Sequence, residues 1–164
     1  MAGQLRHLDC LREISMFEMG RFEILAELSV AVLGFSGLLI ALGHDRISDS
    51  LAVTRIRALL YTASASLVAS VLPLLNLYLP VAAVFLLLAL LMHTIWICVY
   101  WLRAIHVSTS KWVGVIFMLA ALPISAWLVF SLLNQGASLG AAYIAGIGYF
   151  LLTSIYNFVR YLLL

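Results

Sequence analysis

Residues 58–102 read ALLYTASASLVASVLPLLNLYLPVAAVFLLLALLMHTIWICVYWL and contain no Asp, Glu, Lys or Arg. A helix needs about 20 apolar residues to cross the hydrocarbon core of a bilayer. This run is roughly twice that length, so it predicts two spans joined by a tight turn. Asn76-Leu77-Tyr78-Leu79-Pro80 is the expected turn, because the Pro80 ring clashes with the carbonyl of a continuing helix.

The rest of the chain repeats the pattern. A second charge-free run, residues 112–159, is again about two spans long. Asn134-Gln135-Gly136-Ala137-Ser138 divides it. Upstream, RFEILAELSVAVLGFSGLLIALG at 21–43 supplies one more span. The expected spans are therefore about 22–43, 56–78, 81–103, 112–133 and 140–162. Pro73 and Pro123 fall inside spans and are expected to kink them. The whole chain is 164 residues, 65% hydrophobic and 10% charged. Soluble domains are about a quarter charged, so the expected solvent is lipid. The fold class is all-α: a polytopic membrane bundle of about five helices, 21–164, preceded by a charged helical segment, 1–20.

That first segment places Leu5, Leu8, Leu11, Ile14 and Phe17 at every third position. On a helix turning every 3.6 residues the pattern drifts round the axis, which points to a short helix outside the bilayer. The segment is too charged for a cleaved signal peptide. The water-exposed loops are marked by Gly43-His44-Asp45-Arg46 and by Arg103, His106 and Lys111. If all five spans cross, Arg46, Arg55, Arg57, Arg103, Lys111 and Arg160 share one side, against Arg6, Arg12 and Arg21 on the other. Positive charge marks the cytoplasmic side. The N-terminus is then outside and the C-terminus inside. A net charge of +2 is too small and scattered for a nucleic-acid partner.

The functional candidates lie mostly in 21–43. Glu27 sits about 7 Å below Phe22 at 1.5 Å per residue, and a carboxylate at that depth must be paired, protonated or wet. It either caps the helix start or pairs with Arg21, or it lines a pore as one member of a ring around an oligomer. Ala31, Gly34 and Ala41 follow Glu27 at i+4, i+7 and i+14, a smooth face that packs helices or keeps a narrow path open. Glu23 would join Glu27 at the outer mouth, and Phe35 or Leu38 could gate by dewetting.

Elsewhere, Arg55, Ala58, Thr62, Ser66, Ala69 and Pro73 form a stripe suited to interhelical hydrogen bonds. Arg55 and Arg57 serve topology or hold an anion or lipid headgroup. Ala141, Ala145 and Gly148 repeat the small-residue theme, and Arg160 can snorkel to the inner interface. His93 is an interior imidazole with no second histidine to make a haem or metal site. Cys10 and Cys98 show neither disulfide nor metal spacing. No cofactor motif appears, and no metal site is expected.

Two resemblances follow from these residues. Gly34-Phe35-Ser36-Gly37 is similar to the GxSG segment of rhomboid intramembrane proteases, which implies Ser36 as nucleophile and His93 as its base. The two lie about 21 and 18 Å below the outer interface at 1.5 Å per residue. The chain departs from that family in its number of spans, in the early position of the serine, and in the bulky Met92-His93-Thr94-Ile95-Trp96. More broadly, ELSVAVLGFSGLLIAL, RIRALLYTASASLVASVLPLL and YFLLTSIYNFVRYLL together resemble a family of small bacterial multispan proteins. That family pairs an E-x(6)-GFSG first helix with an RxRxLL second helix. The resemblance implies a bacterial inner membrane and a common fold, and no activity.

The leading expectation is a homo-oligomeric ion-conducting pore or transport-related protein, its partners being the bilayer, further copies and inorganic ions. The alternatives are a non-catalytic scaffold or accessory subunit, and a Ser36–His93 hydrolase. The balance is against an enzyme.

Overall fold

A computed structural model of the chain describes residues 2–42, 50–75, 78–104, 111–134 and 138–162, with side chains described for 19–38, 40–41, 53–75, 78–99, 116–134, 138–160 and 162. Several expected features lie outside these residues. They are the polar loop 43–49, turn residues 76–77, the loop carrying His106, residues 135–137, and the side chains of Leu5 to Phe17, Cys10, Arg103 and Lys111.

Five α-helices make up the described chain: α1 (Ala2–Leu42), α2 (Ser50–Leu74), α3 (Leu79–Ala104), α4 (Lys111–Asn134) and α5 (Leu139–Leu162). Four of them, α2 to α5, are long and apolar enough to cross a membrane; α1, expected as the first span, is not among the four. The protein is an all-α, multi-pass membrane bundle. Helix is the form a chain takes in lipid because it satisfies every backbone group within the segment.

The N-terminal segment and the first apolar run form one continuous helix. Gly20 does not break it: one interior glycine costs only about 1 kcal/mol, and no proline lies in α1. At 1.5 Å per residue α1 is roughly 60 Å long, about twice the hydrocarbon thickness. At the α2–α3 turn the structure corrects the sequence reading. Pro80 lies in the first turn of α3 rather than ending the connection. Proline is tolerated there because its missing N–H would have no helical partner. Tyr78 caps the helix, its carbonyl accepting from Val81 N at 2.9 Å and Ala82 N at 3.2 Å.

α5 is the hub and touches all four other helices. The most extensive packing joins α1 to α2 and α2 to α5, while α3 meets α4 more closely than it meets either α2 or α5. Leu86 and Leu90 of α3, Leu128 of α4, and Tyr143, Ile147 and Phe150 of α5 are fully buried between them. The helices approach closely at Gly146, where an added methyl would lie 2.7 Å from Leu86 Cδ2. Tyr143 locks α5 to α2 by donating its hydroxyl to the Ala69 carbonyl at 2.6 Å. Its ring meets Phe22 of α1 edge-on, with centroids 5.8 Å apart.

Candidate functional site

The inner face of α1 is set by a seven-residue repeat. Phe22, Ser29 and Ser36 are all buried, and Leu25 and Val32 pack beside them against the core. Seven residues are close to two helical turns, so these side chains share one line. Ser29 Oγ lies 2.7 Å from the Leu25 carbonyl and 2.8 Å from Ser66 Oγ of α2. A hydroxyl carries one proton, so with Ser29 donating to Leu25, Ser66 is the donor in the serine pair.

The serine pair also fixes depth. α2 ends at Leu74, eight residues past Ser66, and eight residues back from Ser29 on antiparallel α1 is Arg21. Glu27 therefore lies about 9 Å inside the level where α2 ends, and residues 2–20 run on past it, at 1.5 Å per residue.

Opposite this inner face lies the acidic one. Glu27 is two residues from Ser29, about 200° round the helix at 3.6 residues per turn. It points away from its own bundle. Glu23, Glu27, Ala31, Gly34, Phe35, Gly37, Leu38 and Ala41 are all exposed, Phe35 to 61%. A methyl added at Gly34 or Gly37 would meet nothing within 4 Å. The GFSG tetrapeptide is thus split: its glycines face outward and its serine inward. The stripe Glu27–Ala31–Gly34–Ala41 is brought together on one face, and that face is not used within the subunit.

Ser36 and His93 stand at similar depth but in different places. The Ser36 hydroxyl donates to the Val32 carbonyl, and neither ring nitrogen of His93 has a hydrogen-bond partner. The main neighbours of α1 are α2 and α5, whereas His93 lies on α3 among rings from α2 and α5. The structure does not join the two as a nucleophile and base, which would need direct hydrogen-bond reach.

Arg55 and Arg57 also diverge. Arg55 is half-buried and donates through Nη1 to the Arg160 carbonyl at 3.5 Å, tying α2 to the last turn of α5. Arg57, two residues on, is exposed. The Arg160 guanidinium lies 5.8 Å from the Tyr156 ring centroid, close enough for a cation–π contact. Among the described residues no three His, Cys, Asp or Glu side chains gather as they would around a metal.

Two features escaped the sequence reading. One is the choice of face on α1. The rows starting from Glu27 were visible, but the buried line runs through Phe22, Ser29 and Ser36, and its seven-residue spacing was the available signal. The other is the aromatic nest around His93. Tyr61 stacks on the imidazole at 5.8 Å. Trp96 lies at 6.2 Å, Tyr149 at 5.9 Å and Phe150 at 5.7 Å. Residues 61, 93 and 149 are too far apart in sequence for any local pattern to join them.

The remaining polar side chains mostly serve the helices. Thr62, Ser70, Thr94, Thr153 and Asn157 each donate to a carbonyl one turn back. Such bonds satisfy hydroxyls and amides in an apolar medium without creating a reactive group. Comparison with protein-family models, curated proteins and solved structures finds no match to this chain.

Proposed function

We propose that this chain is a homo-oligomeric, ion-conducting protein of a bacterial inner membrane, with α1 of each copy facing a shared axis. The observation that carries this reading is the direction of Glu27. It projects from the face of α1 opposite Ser29, about 9 Å inside the end of α2 at 1.5 Å per residue.

An acidic group facing lipid is unfavourable, by about 2.5–3.5 kcal/mol at the bilayer centre and less toward the interface. A ring of such groups around water removes that penalty and attracts cations. Glu23, one turn nearer the end, widens the acidic mouth. Below it Gly34 and Ala41 leave room, and Phe35 and Leu38 supply an apolar constriction. The distribution of Lys and Arg supports an N-terminus outside and a C-terminus in the cytoplasm.

The test is flux in liposomes of defined lipid. Purified protein is expected to conduct. Glu27→Gln should lower cation-over-anion preference about tenfold, equivalent to about 1.4 kcal/mol of attraction. Silent wild-type protein, or a variant with unchanged selectivity, would overturn the proposal.

A second reading rests on Gly34 and Gly37, which are open to close approach by any helix. In a scaffold or accessory subunit the same face packs on a different protein. Purification with one fixed partner in defined proportion, without flux from the chain alone, would favour that reading. The hydrolase alternative gains no support from the positions of Ser36 and His93.

A further inference from the structure

We propose that His93 is a proton-operated latch on the seam between α3 and the α1–α2–α5 group, and that proton uptake by its imidazole frees the C-terminal half of α3. This inference is independent of whether the chain conducts ions.

The imidazole is fully buried, and neither Nδ1 nor Nε2 has a partner. Its surroundings are rings: Tyr61 from α2, Trp96 from α3 itself, Tyr149 and Phe150 from α5. Among the described residues the titratable groups facing it are Tyr61 and Tyr149, and neither hydroxyl bonds to a ring nitrogen. Tyr61 donates to the Ala89 carbonyl at 2.9 Å, and Tyr149 donates to the Phe117 carbonyl of α4 at 3.3 Å. Among the described residues no charged side chain is a ring contact of His93. A neutral imidazole has one N–H and one acceptor nitrogen, whereas an imidazolium has two N–H donors and a charge. Among the described residues the closed nest gives neither ring nitrogen a hydrogen-bond partner, and a buried charge left unpaired is strongly disfavoured. The protonated ring must therefore reach polar groups or water by opening the nest.

The bundle is built to open there. α3 meets α2 and α5 sparingly, while the α1–α2 and α2–α5 pairs pack most closely. Tyr61, 39% exposed, spans the α2–α3 seam through its bond to Ala89. Its position takes the seam to the lipid-facing surface of the bundle. Toward the start of α3, Leu86 inserts against Gly146 and fixes that half. His93 lies seven residues beyond this contact, about 10 Å along the helix. The N-terminal half of α3 thus acts as a fulcrum and the half carrying His93 as the moving arm.

The experiment uses full-length protein in lipid nanodiscs across about pH 3 to 8, a range that extends well below the ordinary imidazole value of about 6.5. Trp96 emission, obtained as the difference from Trp96→Phe, should show a reversible one-proton step that His93→Gln abolishes. Deuterium uptake by residues 90–99 at acidic pH should be roughly tenfold faster in wild type than in His93→Gln at the same pH, the factor about 1.4 kcal/mol of loosening produces. Comparison at equal pH removes the intrinsic pH dependence of exchange. Tyr61→Phe keeps the ring stack but removes the bridge, and should show faster uptake in 90–99 already at neutral pH. That arm stands even if His93→Gln does not fold. A flat wild-type titration, a step retained in His93→Gln, or Tyr61→Phe uptake equal to wild type at neutral pH would each overturn the proposal.

Discussion

Glu27 and Ser29 are two residues apart on one helix, yet they have opposite surroundings. Ser29 is sealed against Ser66, and Glu27 faces out of the subunit. Their substitutions should separate accordingly. Ser29→Ala removes one interhelical hydrogen bond and is expected to cost about 0.6 kcal/mol, the typical value in membranes. Reversible unfolding in bicelles would measure this, with flux unchanged. Glu27→Gln should do the reverse, leaving stability within about 0.5 kcal/mol as exposed substitutions usually do while changing selectivity. Changed selectivity in Ser29→Ala, or unchanged selectivity in Glu27→Gln, would contradict this division of faces.

At the scale of the helix, the glycines separate in the same way. Gly146 is filled against Leu86, so Gly146→Ala is expected to cost about 1–3 kcal/mol, as overpacking of a filled core does. Leu86→Val should relieve part of that cost. Gly20 has nothing within 4 Å of an added methyl and lies in the middle of the continuous α1. Gly20→Ala should therefore stabilise by up to about 1 kcal/mol through helix propensity alone. Thermal unfolding followed by circular dichroism would rank the three variants. The α2–α3 turn carries a related lesson. A proline ring clashes with the turn before it and so stops a helix, but the same ring is well suited to starting one. Which role Pro80 takes depends on where α2 ends, and local sequence leaves that open by a few residues.

For the whole molecule, the test is what happens to the open face of α1. Gly34→Leu and Gly37→Leu place bulk where the subunit has no neighbour. Both variants are expected to keep the helical content and stability of the single chain. If copies or a partner close over this face, both should lower the assembled state by at least one subunit in native mass spectrometry from nanodiscs. Assembly unchanged in both variants would show that α1 faces lipid, and the axial arrangement would fall with it.

The sequence by itself determined the class of this protein and the approximate limits of its apolar helices. Charge-free runs of 45 residues or so admit little but paired spans, because lipid forces the backbone into helix and each crossing needs about 20 residues. It also singled out Glu27, because an acidic side chain is costly wherever its helix lies in lipid. Only the tertiary structure decided which way that acid points, because the facing of a helix is set by its neighbours. It separated Ser36 from His93 although their depths agree, since depth follows from counting along a helix and lateral position does not. It also gathered Tyr61, His93, Trp96, Tyr149 and Phe150 into one nest. Those residues come from three helices whose relative rotation is fixed by core packing and by Tyr143, and no spacing within a single helix records it.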